Sequence, residues 1–147
     1  MTFSSEAQLK QFLVGKCIRA VANTERKVHG ELDGNLNQFY TEFSPAEYIR
    51  TGALYSSLET TGTMSTGNGA RAEIRFNTPA YKTGRIPLQS GRTGLATWSG
   101  AQVLDVALTG GAPHGGYAGG TAIWNESMAT LGDIGALLMQ ELKRQGL

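Results

Sequence analysis

The chain has 147 residues, 40% of them hydrophobic and 17% charged, which is enough apolar material for the core of one domain and too little charge for a disordered chain. Thirteen Lys and Arg against twelve Asp and Glu leave a formal net charge of +1, so no global field grips nucleic acid or an anionic membrane, and such binding has to come from a local patch. A single cysteine, Cys17, excludes an internal disulfide framework, no Cys/His cluster has the spacing of a zinc site, and no stretch approaches the roughly 18 apolar residues of a membrane span.

The start, MTFSSEAQLK, lacks a basic segment followed by an apolar run, so no signal peptide is read there. Glycine marks the organisation: of 20 in all, three precede Arg50 and 14 fall between Gly52 and Gly120. The expectation is one domain over 1–147, with a helical front (1–45), a region of sheet and loops (46–130) and a C-terminal helix (131–147). Leu9, Leu13, Cys17 and Val21 recur every four residues, widened by Phe12, Val14 and Ile18, which predicts an amphipathic helix. Ser5 and Gln8 have capping-box spacing and set its start. The stripe resumes at Val28, Leu32, Leu36 and Phe39. Gly30 and Gly34 cost roughly 1 kcal/mol each inside a helix, which leaves one long helix or two with a hinge near residue 30, ended by Ser44-Pro45.

Further along, Ala72, Ile74 and Phe76 alternate with Arg71, Glu73 and Arg75, the period of a half-buried strand, and Asn68-Gly69 predicts a hairpin with a partner strand in Thr60 to Ser65. Residues 77–101 read as one long loop, a third strand is expected over Val103 to Leu108, and a loop with six glycines follows from Gly110 to Gly120. Thr130 with Asp133 forms a second capping pair, after which Leu131, Ile134, Leu137, Leu138 and Leu142 share one face of a helix ending in Lys143-Arg144, with Gly146 just beyond. The fold class predicted is α+β, a long N-terminal helix and a C-terminal helix packed on a small antiparallel sheet with long Gly-rich loops.

Few of the candidate chemical groups form a constellation. The glycine loop lacks the Gly-Lys-Ser/Thr ending of a phosphate loop, and His114 within it has no neighbouring Cys, Asp or second His. His29 with Glu25 and Asp33 at four-residue spacing has the pattern of an acid/base pair, but a solvated face with salt bridges to Arg26 and Lys27 is the plainer reading. Cys17 lies on the apolar stripe and reads as a small buried hydrophobe. Trp124 reads as core, and Trp98, in a polar loop, as core or contact residue with equal weight. These residues imply no cofactor, metal or catalytic group.

The most specific stretch is Tyr48-Ile49-Arg50-Thr51-Gly52-Ala53-Leu54-Tyr55-Ser56-Ser57. Physically it reads as a corner: Thr51 caps a short helix through Leu58, Leu54 and Leu58 face its buried side, Gly52 permits the turn, and Arg50 pairs with Glu47 or with a carboxylate of another subunit. The stretch resembles the Tyr-x-Arg-Thr-Gly-x-Leu-x-x-Ser signature of the small neck proteins of long-tailed bacteriophages, the head-tail connector and tail-completion proteins, whose members often begin with a long helix. The Phe39-Tyr40 and Phe43-Ser44-Pro45 lead-in is similar to versions from phages of Gram-positive hosts, and His114 to Leu142 is a softer match.

The resemblance implies a structural virion protein rather than an enzyme, located in the neck or upper tail and in the host cytoplasm during assembly. Its partners would be its own copies in a ring and other neck and tail proteins, with a possible contact to DNA in the channel and none to a membrane. Tyr48, Arg50, Thr51, Gly52, Leu54 and Ser57 are then structural. Lys82, Arg85 and Arg92, with no acid in 78–101, join Tyr81 and Trp98 as an expected assembly arm. The rivals are an enzyme using His29 or His114, which would lose turnover on their substitution, and a small soluble binding module without a ring.

Overall fold

The structure, a computed structural model, describes residues 2–42, 54–78, 85–87, 95–97, 101, 104 and 123–147. Its fold is α+β. One helix, α1, runs unbroken over Glu6–Glu42, about 55 Å at 1.5 Å per residue, so Gly30 and Gly34 lie inside it and do not hinge it. Ser5 accepts a hydrogen bond from the Gln8 N–H at 3.3 Å, as the capping spacing predicts, while the Gln8 amide oxygen reaches back to Ser4, at 3.1 Å from its N–H and 2.7 Å from its hydroxyl. Phe3 folds back onto Phe12 with ring centroids 5.1 Å apart.

The buried row on α1 is Ala20, Thr24, Val28, Leu32 and Leu36. A four-residue repeat advances about 40° per step around a helix, so the row winds round the cylinder instead of forming a straight stripe. The first part of the predicted stripe is more open: Leu9 and Leu13 are 39% and 37% exposed, and Cys17 and Val21 are half-buried. Among the described residues, side-chain hydrogen bonds to the C-terminal segment begin at Lys16 and those to the first hairpin at Glu25, so the first turns of α1 lie before both.

After a 3₁₀ turn at Tyr55–Ser57 come β1 (Leu58–Thr60), β2 (Met64–Ser65), β3 (Ala70–Arg71) and β4 (Ile74–Phe76), with β1 paired to β4 and β2 to β3. In the described part of the expected short helix, from Leu54 onward, the chain makes a single 3₁₀ turn, and Leu58 already belongs to a strand. The hairpin turns at Thr66-Gly67-Asn68-Gly69, closed by the Thr66 N–H on the Gly69 carbonyl at 3.1 Å, with Gly67 at φ +84°. Side chains alternate as the period predicts: Ala72, Ile74 and Phe76 are half-buried, and Arg71, Glu73 and Arg75 exposed.

The pairing also contains a bulge that no sequence signal announced. Thr61 opposes Glu73 through a 3.0 Å backbone bond, whereas Met64 opposes Arg71, so Gly62 and Thr63 together face the single residue Ala72. Gly62 takes the extra residue at φ +69°, a left-handed conformation that glycine adopts without strain.

The predicted long loop of 77–101 is not structureless throughout, because β5 (Arg85–Pro87) and β6 (Leu95–Thr97) pair antiparallel inside it, Ile86 opposite Ala96. Within the strand expected over Val103 to Leu108, the described residue Leu104 is helical, and so is Ala101 just before it. The chain closes with α2 (Ile123–Leu131) and α3 (Ile134–Arg144). Leu131 therefore ends one helix rather than starting the last. Gly132, at φ +67°, stops α2, and Asp133 caps α3 by accepting the Gly135 N–H at 2.7 Å. That makes Asp133 the cap, not the closing fourth residue of a box begun at Thr130.

The residues group into two compact units: Met1–Gly30, Thr60–Ile74 and Leu131–Leu147 in the first, Glu31–Glu59 and Arg75–Thr130 in the second.

Candidate functional site

In the first unit a set of side-chain hydrogen bonds and ion pairs ties α3 to α1. Glu141, 2% exposed, takes Lys27 Nζ at 2.7 Å and Arg144 on Oε1 at 2.7 Å, and Asn23 Nδ2 on Oε2 at 3.1 Å. Arg19 Nε donates to Gln145 Oε1 at 3.1 Å, and the Lys16 ammonium caps the end of α3 by donating to the Gln145 and Gly146 carbonyls. These pairs run in opposite order along the two helices, so α3 lies antiparallel to α1. Its C-terminus closes with the Leu147 N–H on Leu142 and the Gly146 N–H on Lys143, with Gly146 at φ +76°, which is a Schellman motif. The bonds from Lys27 and Asn23 outweigh the burial of Glu141, and its carboxyl is held below the usual carboxylate range.

On the same half of α1, Glu25 receives the Thr63 hydroxyl at 2.6 Å and the Thr60 hydroxyl. Burial alone pushes the Glu25 carboxyl up. Thr60, Thr63, the Gly62 N–H and the neighbouring His29 outweigh it, and the net shift is downward. His29 is half-buried.

The second unit holds what is described of the signature. Leu54 is 5% exposed and Ser57 fully buried, with the Ser57 hydroxyl donating to the Leu54 carbonyl at 2.7 Å and the Asn77 N–H to the Ser57 carbonyl at 2.8 Å. Among the described residues of this unit the other buried side chains are Leu32, Leu36, Ile123 and Ser127, and Asn35 donates to the Ser127 hydroxyl at 2.8 Å. Tyr55 packs edge-on against Tyr40, centroids 6.2 Å apart, and its hydroxyl bonds Asp33, which pushes the phenol pKa up. Glu59 takes Arg75 at 3.3 Å and Asn77 at 2.8 Å.

On the expected face of Glu25, His29 and Asp33, Glu25 holds two threonine hydroxyls and Asp33 a tyrosine hydroxyl. The salt bridges anticipated there are absent, since Arg26 donates to Asn23 at 2.9 Å and Lys27 to Glu141. Trp124, expected in the core, is 43% exposed, and Cys17 is only half-buried. Tyr48, Arg50, Thr51, Gly52, Tyr81, Lys82, Arg92, Trp98 and His114 lie outside the described residues. Arg85 is placed by its backbone in β5. Among the described residues no group of three His, Cys, Asp or Glu side chains could hold a metal, and no helix is long and apolar enough to cross a membrane.

The residues that sequence reasoning passed over are Glu141 with Asn23 and Lys27, and Thr60 with Thr63. Glu141 left one usable signal: it follows Leu137 and Leu138 at helical spacing, so a carboxylate stands beside the apolar face of α3. No protein-family model, curated protein or solved structure matches the chain.

Proposed function

We propose that this protein is a structural component of a tailed-bacteriophage virion, a head-tail connector or tail-completion protein that forms a ring between capsid and tail and performs no catalysis. The observation that carries this reading is the Tyr48–Ser57 signature. Its support from the fold is that Leu54 and Ser57 are spent inside the protein, one in a core and the other closing a turn, as suits a segment that fixes a corner and not one that holds a ligand. A long first helix accords with the same family. Copies related by rotation would close a ring through head-to-tail contacts, with neck and tail proteins above and below and the basic residues Lys82, Arg85 and Arg92 toward an acidic partner or channel DNA.

Genetics with electron microscopy tests it. A phage lacking this chain is expected to accumulate filled heads and finished tails that do not join, and supplying the chain in trans restores joined particles. Charge reversal at Arg85 and Arg92 together is expected to impair joining while leaving the melting temperature of the isolated protein nearly unchanged. Infectious particles formed without the chain would sink the reading.

A further inference from the structure

The tip of the first hairpin, residues 60–74, contains no buried side chain; every residue there is half-buried or exposed. Apolar burial, which fixes most strands to their domains, therefore contributes little to holding it. What does hold it to α1 is polar: the Thr60 and Thr63 hydroxyls both donate to the Glu25 carboxylate. Those two positions are an odd number apart, and on a regular strand side chains of opposite parity point to opposite faces. They meet one carboxylate because the bulge at Gly62 inserts an extra residue between them and resets the alternation. Thr60 also accepts the Gly62 N–H at 3.1 Å, which ties the bulge to the same cluster.

We propose that Glu25 and the Gly62 bulge form a latch holding the hairpin tip against α1, and that the tip is an arm able to leave the helix when the latch opens while α3 stays in place. The two attachments share no residue. α3 is bonded through Lys16, Arg19, Asn23 and Lys27 acting on Glu141, Gln145 and Gly146, whereas among the described residues the side-chain hydrogen bonds from the hairpin tip to α1 all end on Glu25. Opening one does not require breaking the other, so the tip opens as a local unit below the global unfolding free energy. Glu25 is thus a positioning residue, independent of the neck reading.

Amide hydrogen exchange on the full chain at neutral pH tests this from both sides of the contact. Glu25→Ala keeps a good helix former in α1, and Thr60→Val with Thr63→Val removes the two donors while keeping β-branched strand residues. Each is expected to raise exchange across residues 58–76 by roughly tenfold or more, the effect of losing charge-assisted hydrogen bonds, with peptides from 134–147 as protected as in the wild type. Gly62→Ala, strained at φ +69°, is expected to do the same. A hairpin that stays protected in the Glu25 and the double threonine variants overturns the latch. Equal loosening of the hairpin and α3 overturns its independence.

Discussion

Glu141 stays ionised at 2% exposure because Lys27 and Asn23 bond it and Arg144 adds a second cation. It and Glu25 share one sign of pH dependence. A carboxyl whose folded value lies below its unfolded one, near 4.5, contributes its full stability above that unfolded value, and the contribution disappears as pH falls through the depressed folded value. Acid titration followed by circular dichroism should show stability lost below about pH 4.5, with Glu141→Gln less stable at neutral pH and converging on the wild type in acid. Curves that stay parallel would show that the Glu141 contacts contribute nothing. At Leu54 the mechanism is packing. Leu54→Ala should cost ~2 to 5 kcal/mol through lost burial and a cavity, and an unchanged denaturant midpoint would mean that the site collapses without cost.

Among the elements, α1 carries glycines that nothing among the described residues requires. A Cβ at Gly30 or Gly34 would meet no atom within 4 Å, so Gly30→Ala and Gly34→Ala should each stabilise the isolated protein by up to about 1 kcal/mol. A lower melting temperature in either would reveal an approach by backbone too close for a methyl group. The start of α3 behaves oppositely. Asp133 carries the cap, and Gly135 accommodates it, since a Cβ there would come within 3.1 Å of Asp133 Oδ1. Asp133→Ala should cost about 1 kcal/mol by thermal melting, whereas Thr130→Ala, expected from the sequence to matter for capping, should cost much less.

For the whole molecule, deleting residues 131–147 removes every partner that α1 has in α3, and the truncated chain should be insoluble or molten, binding a hydrophobic dye and losing its near-ultraviolet circular dichroism. A truncated protein that melts cooperatively would show that the first unit does not depend on α3. The local signals of the sequence determined much of this architecture. A helical period from Glu6 to Glu42, a Ser-x-x-Gln start, Asn-Gly between alternating residues and a glycine after Lys143-Arg144 each act within a few residues, so each was legible before any packing was known. Which residues of the helical stripe are covered was not legible. Periodicity gives a face, but coverage depends on where a distant segment crosses it, and so Leu9 and Leu13 are exposed while the Ala20 to Leu36 row is buried. The same reason hid the polar contacts. Glu141 meets Lys27 across 114 positions and Glu25 meets Thr63 across 38, and no spacing rule reaches that far. Only the tertiary structure decided that Glu25, read from the sequence as part of a solvated face with salt bridges to Arg26 and Lys27, takes the hydroxyls of a hairpin instead, because a carboxylate takes its role from the donors that folding brings to it.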